Sequence, residues 1–136
     1  MSAKDDVTTA VTGMVAAVNR IDMPAARAWF TDNAVIVEDI APYRWEGPNA
    51  VEGWLAAMAG SAQRLGVDAI SMTLGDPVRI DVEGDSAYAL FAGSLTMRTA
   101  VDHYLAEGLL TLTLSTCGDR WLIDTLAWSG PNPRHV

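Results

Sequence analysis

Residues 28–47 read AWFTDNAVIVEDIAPYRWEG, and the order of features in this stretch decides the fold. Trp29 and Phe30 end a short helix, a Thr-Asp-Asn turn follows, and an apolar segment rich in β-branched residues comes next. Such a segment favours a strand. It ends on two adjacent carboxylates, Glu38 and Asp39, in front of a loop with large aromatic side chains. A pocket that uses an acid or base with a shifted pKa needs carboxylates beside apolar and aromatic side chains. An ordinary strand end in water can have the same composition.

Two helices are predicted before this strand. The first has one apolar face, which is formed by Val7, Val11, Met14, Val15 and Val18. Asp22 can cap a second helix that runs from residue 25 to residue 30, with Pro24 tolerated in its first turn. Residues 43–46 can pair back onto the strand as a short second strand.

A third helix and four long strands are predicted after it. Gly47, Pro48 and Asn49 start the helix, and Gly66 ends it. Its apolar stripe consists of Val51, Trp54, Leu55, Met58, Ala62 and Leu65. The predicted strands are residues 67–82 with a bulge or bend at 75–77, residues 86–98, residues 108–117 and residues 120–129. Residues 100–107 are predicted as a hairpin connection.

This order of elements predicts an α+β fold, α-α-β-β-α-β-β-β-β. Three helices in the N-terminal half can cover only one face of the sheet. We therefore expect a cone-shaped, curved, mixed but mostly antiparallel sheet wrapped around the helices, with an internal cavity. Residues 1–130 are expected to form a single domain, and residues 131–136 a C-terminal tail.

Composition narrows the possible partners. The formal net charge is −8 and the nine basic residues are scattered, which argues against a nucleic-acid partner. The first residues, MSAKDDVTT, lack the apolar core of a secretory signal, and no apolar run reaches membrane-spanning length. We therefore expect a cytoplasmic protein without a membrane partner. No ligand spacing recommends a metal, and no motif implies a cofactor.

Three motifs carry a resemblance to a known family. VNRIDMPAARAWFTDNAVIVED, WEGPNAVEGW and DRWLIDTLAW, together with the order of elements, resemble the nuclear transport factor 2-like superfamily. The branch they are most similar to contains ketosteroid isomerase and the polyketide cyclases (SnoaL-like proteins). The resemblance covers residues 7–130 and implies the cone-shaped fold. This fold hosts isomerases, dehydratases, cyclases, binding modules and transport adaptors, so the resemblance alone does not select a function.

The isomerase pattern that this resemblance implies is only partly present. Ketosteroid isomerase uses a carboxylate base, a tyrosine on the first helix and a protonated aspartic acid on a later strand. Ungapped counting places the tyrosine position on Met14 and the base on Glu38, whereas a one-residue slip selects Asp39. The protonated acid falls near Leu110, where no carboxylate occurs. One of the three groups is present, so we do not expect a true ketosteroid isomerase.

Strand geometry separates the two candidate acids. Successive side chains of a strand point to opposite faces, so only one of Glu38 and Asp39 can face a cavity. The ungapped register favours Glu38. A carboxylate that faces apolar walls has a raised pKa, in the range useful for proton transfer. The alternative is that both acids lie in water at the strand end.

The other pocket candidates each have a structural alternative. In the loop, Tyr43 and Trp45 can line the mouth of the cavity while Arg44 binds an acidic ligand or Glu38. Alternatively, Trp45 packs the loop on the third helix and Arg44 forms an ion pair with Glu46 or Asp39. The remaining candidates are residues whose side chains could reach the cavity: Met14, Trp29, Trp54, Tyr88, Met97, His103 and Trp128. Core packing is the alternative for most of them, and a solvated loop position for the histidine.

The sequence thus predicts a pocket for a small apolar or mixed-polarity organic molecule. A cofactor-free isomerase, dehydratase or cyclase type of enzyme would use Glu38 or Asp39 as its acid or base. A non-catalytic binding protein, or a homodimeric interaction module with a filled cavity, are the alternatives. Apolar residues on the outward sheet face predict a homodimer formed there.

Overall fold

The computed structural model describes residues 2–136. The elements in this part of the chain are α1 (Ala3–Asn19), α2 (Met23–Arg27), β1 (Phe30–Val37), β2 (Arg44–Glu46), α3 (Ala50–Leu65), β3 (Ala69–Glu83), β4 (Ser86–Arg98), β5 (His103–Cys117), β6 (Arg120–Ser129) and β7 (Arg134–His135). None of the helices in residues 2–136 is long and apolar enough to cross a membrane.

The helix ends follow from local chemistry. Ser2 and Asp5 form a reciprocal capping box at the start of α1, which satisfies backbone N–H groups of its first turn. The Asp22 side chain accepts a hydrogen bond from the Ala25 N–H at the start of α2. Gly66 ends α3 in the left-handed conformation, with φ of 70°, which glycine adopts without steric cost.

The strands form one open sheet in the order β2-β1-β6-β5-β4-β3, and β7 pairs with β5. The β1–β6 pair is parallel, and the other pairs are antiparallel. Irregular register between Leu74 and Arg79 marks the bulge predicted in β3. The predicted α+β architecture, a mostly antiparallel curved sheet with three helices from the N-terminal half, is confirmed.

The core lies between the helices and the inner face of the sheet. Three helix residues, Val7, Val11 and Met14, are almost completely buried in it. The inner sheet face contributes Phe91, Leu110, Leu112, Leu114, Ile123 and Leu126, each at most 1% exposed. Each such side chain stabilises the fold by about 1.5–3 kcal/mol through removal from water. The apolar alternation of β5 and β6 therefore fills the concave side of the sheet.

The β3 edge of the sheet is capped by a side chain of α1. The Asn19 amide donates to the Met72 carbonyl at 2.9 Å, and the Met72 N–H donates back to the Asn19 Oδ1 at 2.9 Å. The Asn19 side chain thus makes the two hydrogen bonds with Met72 that the backbone of a neighbouring strand would otherwise make. This bond pair ties the C-terminal turn of α1 to the sheet.

Three predicted boundaries differ from the structure. The second helix ends at Arg27, not at residue 30, because Phe30 already pairs with Ile123 of β6. The predicted turn at residues 31–33 lies within β1, where the register shifts between Phe30 and Val35. The predicted hairpin connection 100–107 is also shorter, since β5 begins at His103.

The C-terminal segment is held against the sheet. Arg134 and His135 pair with β5. The Arg134 side chain forms an ion pair with Glu107 at 2.7 Å, and the His135 ring is hydrogen-bonded to Asp102 at 2.7 Å. The His135 ring also meets the edge of the Tyr104 ring, with 5.5 Å between centroids. The end of the segment that the sequence predicts as a tail therefore continues the sheet beyond the end of β6.

Candidate active site

Glu38 is the one carboxylate residue that is buried among residues 2–136. It follows β1 directly, and its side chain continues the inward row of Ala34 and Ile36, which are 1% and 0% exposed. Glu38 itself is 6% exposed, whereas Asp39 is exposed. The strand alternation thus carries one acid of the pair into the interior and leaves the other in water.

The loop after Glu38 closes on itself. The Glu38 N–H donates to the Tyr43 carbonyl at 3.1 Å, and the Tyr43 N–H donates to the Ile40 carbonyl at 2.8 Å. Tyr43 has a positive φ of 74°, which is uncommon for a residue with a side chain. These backbone bonds fix where the chain turns and therefore hold the Glu38 backbone in place.

Burial gives Glu38 an unusual affinity for its proton. Loss of solvent raises the pKa of Glu38 from its ordinary value of 4.5 to about 7, and the negative charge of Asp39 adds to this rise. The indole N–H of Trp54 acts in the opposite direction and lowers it. Near neutral pH the carboxyl therefore exists in both forms, and it can accept or release a proton.

Trp54 of α3 lies beside Glu38. Its side chain is 4% exposed, and its ring meets the edge of Phe30 with 6.3 Å between centroids. The Nε1–H is buried and makes no hydrogen bond of ordinary geometry with any described residue. The N–H dipole therefore acts on Glu38 from a position outside the geometry of a formed hydrogen bond.

Trp128 is the second large aromatic residue on this part of the inner face. Val37 pairs with Ala127, so the parallel register places Glu38 level with Trp128. The Trp128 ring lies against two paired glycines, Gly93 of β4 and Gly108 of β5. A Cβ at Gly108 would stand 2.8 Å from this ring, and one at Gly93 would stand 3.4 Å away. The glycines leave the space that the indole occupies.

Sequence reasoning did not single out these two glycines. Glycine within a strand weakens the strand and often marks a place where another group approaches the backbone closely. The two glycines in predicted strands were therefore the available sequence signal. The partner of the close approach, Trp128, becomes visible only when the strands are paired. Trp128 is 4% exposed and fills the inner face at this level.

The loop residues take the structural alternatives described above. The Arg44 guanidinium donates to the Glu46 carboxylate at 2.9 Å, and both side chains are exposed. This bond and the opposite charge raise the pKa of Arg44 and lower that of Glu46. Trp45 packs on α3, where a Cβ at Gly53 would stand 2.8 Å from its ring. Tyr43 is 59% exposed and directs most of its side chain to solvent.

Met14 and Trp29 belong to other parts of the core. Met14 is 1% exposed and packs within the apolar cluster of the protein. Trp29 lies just before β1, at the end of the strand opposite to Glu38. Its ring packs on Gly13 of α1, and the Arg120 guanidinium lies over it at 4.8 Å from the centroid.

The last three candidates lie away from Glu38. Tyr88 is 36% exposed on the outer sheet face, where the Arg79 guanidinium lies 5.5 Å from its ring centroid. Met97 and His103 both border a groove of about 470 Å³ at the far end of the sheet. This groove does not include Glu38, and His103 is on a strand, not in a loop.

Metal-binding groups are not assembled here. Within residues 2–136, no group of three or more His, Cys, Asp or Glu side chains is placed to hold a metal ion. Glu38 has a raised pKa that suits a carboxyl to proton transfer. Asp39 and Trp54 are the neighbouring side chains that act on this pKa.

Similarity to known proteins places the chain in a family. A family model described as a SnoaL-like domain matches residues 1–127. A comparison with curated protein sequences found no match.

Solved structures share the fold at low identity. The hexachlorocyclohexane dehydrochlorinase LinA-type3 from Novosphingobium barchaimii has a TM-score of 0.80 at 9% identity, covering 98% of this chain and 90% of the other. A scytalone dehydratase-like protein from Novosphingobium aromaticivorans has a TM-score of 0.78 at 10% identity, covering 97% and 86%. A nuclear transport factor 2-like superfamily protein from Salmonella enterica has a TM-score of 0.77 at 17% identity, covering 95% and 91%. The chain belongs to the SnoaL-like domain family.

Proposed function

We propose that this protein is a cofactor-free acid/base enzyme that acts on a small, largely apolar organic molecule. Glu38 accepts or releases the proton in a reaction of the isomerase, dehydratase or cyclase type. Asp39 contributes its charge from the surface and does not touch the substrate. No step in this proposal requires a metal or an organic cofactor.

The observation that carries the proposal is the state of Glu38. A carboxyl that is 6% exposed and has a pKa of about 7 is matched to proton transfer near neutral pH. A carboxylate with no role in function would be more stable in water, since burial of a charge is costly unless the charge is paired. The names of two proteins with the same fold, a dehydrochlorinase and a scytalone dehydratase-like protein, agree with elimination chemistry in such an interior.

A titration of Glu38 tests the proposal. We expect the side-chain carboxyl carbon of Glu38, followed by 13C NMR, to titrate with a midpoint near 7. The isosteric variant Glu38→Gln identifies the resonance, because the titrating signal is then missing. A Glu38 midpoint close to its ordinary value of 4.5 would refute the enzyme proposal.

The second candidate function is that of a homodimeric interaction module, in which the protein's own side chains fill the interior and no small molecule binds there. The burial of Glu38 and the position of Trp128 against Gly93 and Gly108 favour it. Naphthalene, added to the wild-type protein and to Trp128→Ala, separates the two functions. A shift of the Glu38 resonance in the wild type supports an accessible pocket. Binding by Trp128→Ala alone supports the filled interior.

We also propose that the protein forms a homodimer through the outer sheet face. Val37, Tyr88 and Leu109 are large apolar side chains that are 39%, 36% and 43% exposed on this face. The paired positions Thr111, Thr113 and Ala127 between them are uncharged, and the Arg79 guanidinium lies over the Tyr88 ring at one side of this patch. Faces of this composition on neighbouring strands are typical of self-association.

Sedimentation velocity at micromolar concentration tests the dimer. Leu109→Glu is expected to convert the dimer to a monomer, because it places a charge in the contact. Leu65→Glu is the matched control, since Leu65 is 70% exposed at the end of α3, away from the sheet. A wild-type monomer under these conditions would contradict this proposal and leave the role of Glu38 open to its own test.

A further inference from the structure

The indole N–H of Trp54 is a buried donor without an acceptor. Among the described residues, the Nε1 atom has no hydrogen-bond partner, and the whole side chain is 4% exposed. A buried polar group in this condition destabilises the fold by about 1–3 kcal/mol. An unsatisfied donor is rare in a native core and calls for an explanation, of which a role in catalysis is one.

The position of Trp54 is set by packing, not by its N–H. Trp54 lies on the buried face of α3 together with Val51 and Leu55, and α3 packs on β1 and β2. The edge-to-face contact with Phe30 orients the ring further. The donor therefore stays beside the Glu38 carboxyl whether or not it is bonded.

The Glu38 carboxyl changes between two forms, and only one of them attracts this donor strongly. A neutral carboxyl offers a weak acceptor, whereas a carboxylate forms charge-assisted hydrogen bonds that are roughly twice as strong. The other charge that acts on Glu38 is that of Asp39, which opposes ionisation. Trp54 is the neighbour that favours the ionised form.

We propose that Trp54 is a positioning residue for Glu38, whose carboxylate its indole N–H holds by a hydrogen bond once the carboxyl is ionised. The bond fixes the orientation of the carboxylate after it has released its proton. It breaks when Glu38 takes up a proton again, so that Trp54 alternates between a bonded and an unbonded donor. This inference rests on the proposed role of Glu38 and adds the residue that orients it.

The indole resonance of Trp54 in the wild-type protein is the direct test. We expect the Nε1–H signal in a 1H–15N spectrum to move downfield with a midpoint equal to that of Glu38. In Glu38→Gln the signal should stay constant over the same pH range. A Trp54 that served packing alone would show a constant indole signal in the wild type as well, and that result would overturn the inference.

A pair of tryptophan variants gives the second test. Trp54→Phe should raise the pKa of Glu38 by about one pH unit or more, since a charge-assisted hydrogen bond to the ionised form is lost. Trp121→Phe removes the same N–H from another buried tryptophan, which is 8% exposed. Trp121 lies at the start of β6, whereas Glu38 lies level with the end of β6, so this variant should leave the Glu38 midpoint unchanged.

The outcomes separate this inference from the proposed function. If wild-type Glu38 titrates near 7 and Trp54→Phe titrates at the same pH, the positioning role is wrong and the acid/base role stands. If wild-type Glu38 titrates near 4.5, the proposed function fails first. Should Trp54→Phe not fold, the indole titration of the wild-type protein still decides the question.

Discussion

Glu38 and Asp39 are neighbours in the chain, but the first carboxyl lies in the interior and the second lies on the surface. They remain close enough for the charge of Asp39 to raise the pKa of Glu38. The surface acid therefore adjusts the proton affinity of the buried one without sharing its environment. Each residue can be substituted separately, so the effects of charge and of burial on the pKa of Glu38 can be measured one at a time.

Removal of the Asp39 charge should lower the pKa of Glu38. In Asp39→Asn the repulsion that opposes ionisation of Glu38 is absent, while the burial of Glu38 is retained. The midpoint of Glu38, measured by carboxyl NMR titration, is expected to fall below that of the wild type and to stay above the ordinary value. An unchanged midpoint would mean that burial alone determines the proton affinity of Glu38.

Stability should fall with rising pH between about 4.5 and 7 because of Glu38. Its folded pKa of about 7 exceeds the ordinary value of 4.5, so the folded state binds more protons than the unfolded chain over this interval. The contribution is complete below 4.5 and is lost as the pH rises through 7. A difference of this size corresponds to about 3 kcal/mol.

Urea unfolding at pH 5 and pH 8 measures this effect. Glu38→Gln should lose most of the pH-dependent difference and should be more stable than the wild type at pH 8, because no charge is then buried. Glu83→Gln, a change at an exposed carboxylate, should keep the wild-type difference. Equal pH dependence in the wild type and Glu38→Gln would show that Glu38 is ionised at both pH values.

Two glycine substitutions should report on the placement of Trp128. Gly108→Ala puts a Cβ 2.8 Å from the Trp128 ring and against the Ser129 backbone, which cannot move away cheaply. We expect a loss of about 1–3 kcal/mol in the free energy of unfolding, measured by urea denaturation. Gly93→Ala, with its nearest atoms at 3.3–3.4 Å, should cost less. Equal losses at the two positions would contradict the described packing.

A second glycine pair tests the packing of Trp29 on α1. A Cβ at Gly13 would stand 2.6 Å from the Trp29 ring, so Gly13→Ala should lower the free energy of unfolding by about 1–3 kcal/mol. Gly60 on α3 has only the end of the Arg64 side chain near its Cβ position. Gly60→Ala should therefore raise stability by up to about 1 kcal/mol, which is the helix preference of alanine over glycine. A stabilising Gly13→Ala would show that Trp29 lies elsewhere.

Local patterns predicted much of the fold. The 3.6-residue stripe of α3, the alternation of Leu110, Leu112 and Leu114, and the glycine at position 66 each require only neighbours in the sequence. The errors lie where a distant strand decides an end. Phe30 extends β1 because Ile123 is available to it, and His103 begins β5 because Arg98 of β4 lies opposite.

In the candidate site as well, some features follow from the local sequence and others depend on distant residues. The alternation along β1 indicated that Glu38 and Ala34 share a face, and this needs no knowledge of the rest of the chain. Tyr88 shows the opposite case, because a strand has two faces and its own pattern did not say which one lies inward. Trp45 and Arg44 took packing and ion-pair roles that depend on Gly53 and Glu46, and of these only Glu46 is near in the chain.

The sequence by itself determined the helices, the strands and the two faces of β1, because these depend on backbone preferences and on apolar periodicity along a few residues. Only the tertiary structure decided that Trp54 lies beside Glu38 and that Trp128 covers Gly93 and Gly108. These contacts join different helices and strands, and the raised pKa of Glu38 arises mainly from its burial in the assembled fold. Burial and charge are properties of the assembled surroundings, and no local pattern contains them.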